Sequence, residues 1–409
     1  MTVAAVAIFL ASWFLVHRAW YRATGPSSDV TIYQRYARET IDGKIPYRNF
    51  SIEYPPGFLL PALAPDATAN PNSQNSYAHT FDLWMGGAGV VLILLAAVAL
   101  GALRVEPAHF AGALGFIAVS PALLGNVMTA RFDLWVTALA IGGFAALLAG
   151  RERTSGVLFG AAIATKLWPA VFVPLGVIWT ARREGRRAAL QWLALTTASC
   201  AAFFLPFAAL SPGGIGHSFG LQINRPLQIE SLGSGILLAA HNLVGLTVVV
   251  RTSYGSQNLV AHGATLMAGL SGVLQVLALL GIWVAFARGP MRTDRLVVAA
   301  AASVTVFIAF GKVFSPQYLI WLIPFVPLVR NRLATLLFGV ALVLTLFYFP
   351  TNYAEVVSLE PHWATVVLAR DFVLVVLAAE LVRMLVARQP AEESERARAR
   401  PPEAVPALP

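Results

Sequence analysis

Apolar runs of about 18 residues or more recur along the chain and are separated by short polar segments. Runs of this length can cross a bilayer as helices, because a spanning helix satisfies its own backbone hydrogen bonds. We place full spans at approximately residues 2–20, 83–103, 107–125, 132–149, 188–209, 264–287, 295–311, 315–329, 333–349 and 363–387. The pattern therefore predicts an all-α polytopic membrane protein with about ten transmembrane helices.

Residues 155–180 form an apolar run that a single straight span does not explain. Arginines flank the run on both sides, and the positive-inside rule places both flanks in the cytoplasm. Lys166 and Pro169 stand in its middle, and a proline removes a backbone donor and disfavours helix in the residue before it. We therefore predict a re-entrant hairpin of two short helices, with a buried apex at Lys166-Leu167-Trp168-Pro169.

The orientation of the chain depends on residues 232–250, which are apolar but include His241 and Asn242. A full span there would place every later basic loop on the wrong side, so we predict a surface-lying or partly inserted helix. Both termini are then cytoplasmic, and the long first loop, residues 21–81, faces outward. A transmembrane domain covers residues 1–388, and residues 389–409, rich in Pro, Arg and Glu, are predicted to be a disordered cytoplasmic tail.

Composition supports the membrane prediction and excludes other classes. Of the 409 residues, 57% are hydrophobic and 12% are charged, whereas a soluble domain carries about 25% charged residues. The net charge of +9 does not indicate nucleic-acid binding, because the basic residues lie largely in short loops and the tail. The single cysteine, Cys200, excludes an intrachain disulfide.

The first loop carries the most acidic and aromatic polar stretch, which begins near Ser27 and ends at Gly57. Ser28 or Asp29 is predicted to cap a short helix on which Asp29, Tyr33 and Tyr36 share one face. Asp29 is then either only a helix cap or a carboxylate held at the membrane surface. In the second role it would act as a general base towards an acceptor hydroxyl.

Glu53 stands at the end of the same stretch, directly before Tyr54-Pro55-Pro56. One interpretation is a loop that is stiffened by its prolines. The other is a substrate-contacting loop in which Tyr47 and Tyr54 are stacking platforms and Glu53 is an alternative base. The sequence does not choose between Asp29 and Glu53.

Several charged residues occur at or inside apolar runs, where ionisable side chains are functional candidates by default. Arg131 and Asp133 open the run at residue 132, either as an anchoring ion pair or as ligand contacts. Lys166 is predicted to be buried and needs a partner, for which Asp133 or a lipid phosphate would serve.

Two further segments are predicted to face outward, and each supplies a cation, a glutamine and a helix entry. Cations and helix N-termini bind phosphate, so these segments indicate an anionic lipid head group beside a carboxylate. The candidate residues are Arg225, Gln228 and Glu230 in the first segment, and Lys312, Gln317 and Tyr318 in the second. The histidines lack metal-ligand spacing and no nucleotide-binding motif is visible, so we predict no metal and no cofactor.

At these residues the chain resembles glycosyltransferase family 87, membrane mannosyltransferases of the GT-C superfamily. The resemblance spans roughly residues 25–325. The matching stretches are Asp29 to Tyr36, Gly43 to Phe50, Glu53-Tyr54-Pro55-Pro56, Arg131-Phe132-Asp133, Thr165 to Pro169, Arg225 to Ser231 and Ser315-Pro316-Gln317-Tyr318. The resemblance implies a GT-C-like fold, and transfer of mannose from a polyprenyl-phosphate donor with inversion on the outer side of the membrane.

The resemblance also implies that an acidic residue of the first outer loop is the base, and Asp29 occupies that position. Arg225 or Lys312 would stabilise the departing lipid phosphate. The partners expected are a polyprenyl-phosphate-sugar donor, a lipid or glycan acceptor and membrane lipids, with no nucleic acid. A glycolipid transporter and a non-catalytic cell-envelope scaffold remain as alternatives, although a transporter should carry paired broken helices and midplane acids.

Overall fold

The computed structural model describes residues 1–21, 28–70 and 75–387. Its longer helices are α1 (Thr2–Val16), α2 (Ser28–Ile41), α3 (Leu59–Thr68), α4 (Ser76–Ala102), α5 (Pro107–Leu124), α6 (Asp133–Leu148), α7 (Glu152–Thr165), α8 (Val173–Glu184), α9 (Arg186–Leu210), α10 (Pro212–Ile223), α11 (Leu232–Val244), α12 (Ala264–Arg288), α13 (Thr293–Ala309), α14 (Arg332–Tyr348) and α15 (Pro361–Val386). Short helices lie at Asn126–Thr129 and Tyr353–Val357, a π-helix at His17–Tyr21, and 3₁₀ segments at Pro56–Phe58, Trp168–Phe172 and Pro316–Leu322.

Five helices within the described residues are long and apolar enough to cross a membrane. They are α1 with the start of the π-helix, α4, α5, α9 and α12, and each coincides with a predicted span. The total of about ten spans stays a prediction. The predicted cytoplasmic tail, residues 389–409, and Arg388 lie outside the described residues.

The predicted break in the run at residues 155–180 occurs at Lys166, where α7 ends with extended backbone angles. A 3₁₀ segment, Trp168–Phe172, then leads into α8. The two helices have 14 and 12 residues, so each is about 20 Å long and too short to span a hydrocarbon core alone. Their re-entrant placement relative to a membrane stays a prediction.

Tight backbone contact holds the first loop against this break. Gly57 lies so close to the end of α7 that a Cβ atom on it would stand 2.7 Å from the carbonyl oxygen of Ala164. A larger residue would therefore push the Tyr54-Pro55-Pro56 turn away from Lys166. This contact explains why a loop far away in the chain is held beside the apex.

Residues 315–329 differ from their predicted transmembrane helix. They form the 3₁₀ segment Pro316–Leu322 followed by turns, and they are buried almost throughout. Pro324 and Pro327 lack the backbone donors that an α-helix requires at these positions. The apolar run is therefore buried inside the protein, and the prediction that it forms a transmembrane α-helix is wrong.

The all-α prediction also misses one element. The predicted helix at residues 232–250 ends at Val244, and Gly245 follows with a left-handed φ of 72°. Strands β1 (Val248–Ser253) and β2 (Ser256–Ala261) then form an antiparallel hairpin. The hairpin pairs with the preceding loop, because Leu259 N–H donates to Leu227 O and Ile229 N–H donates to Gln257 O.

Candidate active site

A cavity of about 560 Å³ collects most of the residues that the sequence indicated. Its wall is built by the start of α2, the Glu53-Tyr54-Pro55-Pro56 turn, the apex after α7, α9 and α10 with the loop after α10, the β-hairpin, α13 with the 3₁₀ segment after it, and the Tyr353–Val357 helix. The predicted residues on this wall are Asp29, Tyr47, Glu53, Tyr54, Arg131, Lys166, Arg225, Gln228, Glu230, Gln317 and Tyr318. Packing thus brings together polar residues that are spread over nearly 300 positions of the chain.

Asp29 lies in the first turn of α2 and contacts a guanidinium. Arg131 Nε stands 3.1 Å from Asp29 Oδ2 and donates a 2.6 Å hydrogen bond to Gln317 Oε1. The Asp29 side chain stays 25% exposed, so the carboxylate is held in place and still reachable from the cavity. This is the arrangement that a positioned general base requires.

Lys166 reaches the same cavity from the break after α7. Its Nζ stands 2.7 Å from Asp133 Oδ1, and Trp321 Nε1 donates to the same oxygen. The ammonium group also lies 4.9 Å from the ring centre of Phe132 and 5.6 Å from that of Tyr318. Lys166 is thus a cation fixed by one buried carboxylate and by aromatic faces.

Glu53 faces Arg225 across the cavity mouth, with Oε2 3.9 Å from Arg225 Nη2. Arg225 donates to Tyr254 O at the tip of the β-hairpin, and Gln222 Nε2 donates to Glu53 O. Burial raises the pKa of Glu53 above its usual value, the Arg225 charge opposes this rise, and the Asp29 carboxylate adds to it. The pKa of Glu53 is therefore displaced towards neutrality, which suits a general base.

Four predicted residues lie away from the cavity wall. Tyr33 and Tyr36 are buried in the packing around Phe58, with 0% and 4% of their surface exposed. Asp133 is fully buried behind Lys166. Lys312 donates to Ile223 O, outside the set of lining residues. For these residues the structure supports a packing or partnering role.

The structure also adds residues that the sequence did not indicate. The hairpin tip contributes Thr252, Gly255, Ser256 and Gln257, and the C-terminal part contributes Tyr353 to the wall and Tyr348 and Arg370 behind it. The Arg370-Asp371 pair could have been identified from the sequence as a functional candidate, because it is an ionisable pair inside the apolar run at residues 363–387. The sequence of the β-hairpin contains no comparable pattern that would indicate a contribution to the site.

The residues that line the cavity offer carboxylates, guanidinium groups and an ammonium group. Within the described ranges, no group of three or more His, Cys, Asp or Glu side chains could hold a metal ion. One part of the wall is apolar and aromatic, with Leu167, Phe204, Ile215, Phe219 and Phe307. An anionic group and an attached hydrocarbon chain therefore both find complementary surfaces.

Comparison with known proteins gives one matching family and alignments of low similarity to solved structures. The model of glycosyltransferase family 87 matches residues 52–316. Two structures of the Archaeoglobus fulgidus oligosaccharyltransferase, one in the apo form and one tethered with an acceptor peptide, align at 12% identity with TM-scores of 0.46 and 0.44. These alignments cover 97% and 98% of this chain but only 60% and 57% of the other. No curated protein sequence matches the chain.

Proposed function

Because the chain belongs to glycosyltransferase family 87, we propose that it transfers a hexose, with mannose as the first candidate, from a polyprenyl-phosphate-sugar. Membership in this family makes the chain a membrane glycosyltransferase. The proposed acceptor is a lipid or glycan hydroxyl, and the proposed site of reaction is the outer face of the membrane. Inversion at the anomeric carbon would follow from a single displacement.

The observation that carries this proposal is the convergence of carboxylates and cations on one cavity with an apolar wall. Asp29 and Glu53 line the cavity together with Arg131, Lys166 and Arg225. A departing lipid phosphate needs cationic stabilisation, and an acceptor hydroxyl needs one carboxylate as base. The leaving phosphate is already stable as an anion, so the chemistry does not require a general acid.

We assign the base to Asp29 and the phosphate contacts to the cations on the cavity wall. Arg131 orients the Asp29 carboxylate, and Gln317 in turn holds Arg131. Lys312, which the sequence also suggested for the phosphate, is replaced in this proposal by Lys166 and Arg225, because both line the cavity. The polyprenyl chain would lie against Phe204, Ile215 and Phe219.

The test is sugar transfer from radiolabelled polyprenyl-phosphate-mannose in membranes that contain equal amounts of each protein. Asp29→Asn keeps the size of the side chain but cannot accept a proton, so transfer should fall by about 100-fold or more. Glu53→Gln is the matched comparison, and it should retain more activity than Asp29→Asn.

Three outcomes would contradict parts of this proposal. Equal transfer by wild type and Asp29→Asn, with loss in Glu53→Gln, would move the base to Glu53. No transfer by wild type from this donor, while other polyprenyl-phosphate-hexoses are used, would replace mannose as the sugar. If no such donor is used, the glycolipid transporter becomes the better hypothesis.

A further inference from the structure

Glu230 lies on the cavity wall, in the loop that joins α10 to α11, and only 1% of the residue is exposed. Tyr348 donates a 2.8 Å hydrogen bond to Oε1, and Gln228 Nε2 stands 3.3 Å from Oε2. The Tyr353 hydroxyl lies close enough to act on this carboxyl group as well. All of these donors are neutral.

The nearest cation does not neutralise Glu230. Arg370 is completely buried, and its Nε stands 2.8 Å from Asp371 Oδ1. Towards Glu230 it donates only to the main-chain carbonyl, at 2.8 Å, and its Nη1 donates to the Tyr348 hydroxyl. One buried guanidinium therefore faces two buried carboxyl groups, of which Asp371 is the nearer, and ionisation of both would leave one negative charge without a counter-ion.

A proton on Glu230 removes this unfavourable charge. Burial raises the pKa of Glu230 to about 7, although Arg370 and the Tyr348 hydrogen bond oppose the rise. Gln228 Oε1 is buried and has no hydrogen-bond partner among the described residues. Exchange of the Nε2 and Oε1 positions of the Gln228 amide would give a protonated Glu230 an acceptor when no sugar is bound, and an oxygen of a bound sugar would take the place of that acceptor.

Among the described residues, no further cation contacts Glu230. The titratable and charged groups that act on Glu230 come from α14, α15, the Tyr353–Val357 helix, the start of α6 and the 3₁₀ segment after α13. They are Tyr348, Arg370, Asp371, Tyr353, Arg131 and Tyr318. Arg131 is already engaged with Asp29.

We propose that Glu230 works as a neutral carboxylic acid that donates a hydrogen bond to an oxygen of the bound lipid-linked sugar. Arg370 and Asp371 are the positioning residues that keep it neutral. This inference rests on the proposed transferase function, since a cavity that receives a phosphate anion would be opposed by a further carboxylate. The positioning residues and Tyr348 lie beyond the family match, which ends at residue 316.

The first test is the pH dependence of sugar transfer in wild type, Glu230→Gln and Glu230→Ala. Wild-type transfer should fall as the pH rises through the pKa of Glu230, because the ionised group has no proton to donate. Glu230→Gln keeps a donor and cannot ionise, so it should lose less than about threefold near pH 6 and show no fall at higher pH. Glu230→Ala should lose about tenfold or more throughout.

Asp371→Asn provides a test of the positioning role. Without the Asp371 charge, Arg370 is free to favour an ionised Glu230, so the fall in transfer should move to lower pH. A purely structural role would lower abundance or stability and leave the pH profile in place. That result, or an inactive Glu230→Gln variant at normal abundance, would overturn the inference.

A second measurement does not depend on activity. The infrared band of a protonated carboxylic acid should be stronger in purified wild type than in Glu230→Gln near pH 6. The unfolding temperature gives an independent check of the protonation of Glu230. A carboxyl group whose pKa is raised by folding stabilises the folded state fully below its pKa in the unfolded chain, about 4.3. This stabilisation is lost as the pH rises through the pKa of the group in the folded protein. Wild type should therefore lose more stability between pH 5 and about pH 8 than Glu230→Gln.

These measurements separate the two proposals. A difference in the infrared band and in stability, with no sugar transfer by any protein, would reject the transferase proposal and retain a neutral Glu230. Equal spectra and equal pH-stability profiles in wild type and Glu230→Gln would reject a neutral Glu230, even if transfer is observed.

Discussion

Lys166 illustrates how single residues of this cavity depend on one another. Its side chain is 13% exposed, whereas its partner Asp133 is 0% exposed. Loss of this cation would be strongly unfavourable, because no other cation within the described ranges forms an ion pair with the Asp133 carboxylate. Loss of Lys166 would therefore affect the fold through Asp133 as well as the chemistry through the cavity.

We expect Lys166→Ala to lower stability by about 3–5 kcal/mol, as for other broken buried ion pairs. The double variant Lys166→Ala/Asp133→Asn removes the orphaned charge and should recover most of this stability. Transfer should stay low in both variants if Lys166 contacts the phosphate. The measurements are the unfolding temperature in detergent and sugar transfer at equal abundance.

Recovery of both stability and transfer in the double variant would contradict a ligand contact and leave Lys166 with a structural role only. Asp133→Asn alone is the matched control, because it keeps Lys166 in the cavity. It should retain more transfer than either variant that lacks the ammonium group.

At the scale of elements, the β-hairpin closes one side of the cavity. Ser253 pairs with Ser256, so Tyr254 and Gly255 form a two-residue turn, and both have positive φ values, 53° and 66°. A tyrosine rarely adopts this conformation, but here its carbonyl accepts from Arg225. The strained turn thus joins the hairpin to the Glu53–Arg225 pair.

Gly255→Ala tests whether the position of this turn matters. A Cβ atom on Gly255 would stand 2.9 Å from Glu53 Oε1, so the side chain of Glu53 or the turn must shift. Transfer should fall about tenfold, because small displacements at a reacting centre are costly. Gly245→Ala is the matched control, since Gly245 has a φ of 72° and open space around it.

Both glycine variants should lose about 1 kcal/mol of stability, because alanine is unfavourable at positive φ. The measurements are sugar transfer and the unfolding temperature of Gly255→Ala and of Gly245→Ala. An equal effect on transfer would mean that backbone strain alone is responsible and that the contact with Glu53 is unimportant.

At the scale of the whole molecule, the arrangement of helices gives a membrane protein whose orientation follows from charge. The predicted cytoplasmic side carries the arginines at the end of α8 and the start of α9, whereas the cavity is predicted to face outward. This orientation requires the hairpin at α7 and α8 to enter and leave on the same side. It therefore depends on the break at Lys166.

Cysteine labelling tests the orientation in a Cys200→Ala background, which removes the single native thiol. Arg251→Cys in β1 should react with a membrane-impermeant maleimide in intact cells. Glu184→Cys at the end of α8 should react only after permeabilisation, and both positions are exposed. Labelling of Glu184→Cys from outside would contradict the hairpin.

The sequence by itself determined the properties that depend on local pattern. Long apolar runs with few charges identified a membrane protein, and Pro169 after Lys166 located the break between α7 and α8. The short helix of the first loop was also predictable, although Ser28 and Asp29 lie inside it and the residue before Ser28 lies outside the described residues. The motifs of the first loop and apex indicated the family.

Only the tertiary structure decided which polar groups meet. Lys166 pairs with Asp133, and Glu53 pairs with Arg225. Glu230 accepts a hydrogen bond from Tyr348, which lies more than 100 positions further along the chain. No local periodicity of the sequence encodes contacts between residues so far apart. Tertiary packing also buried Tyr33 and turned residues 315–329 into a 3₁₀ segment with turns. Local pattern fixes which segments avoid water, whereas the contacts between segments fix which charges face the cavity and which are neutralised behind it.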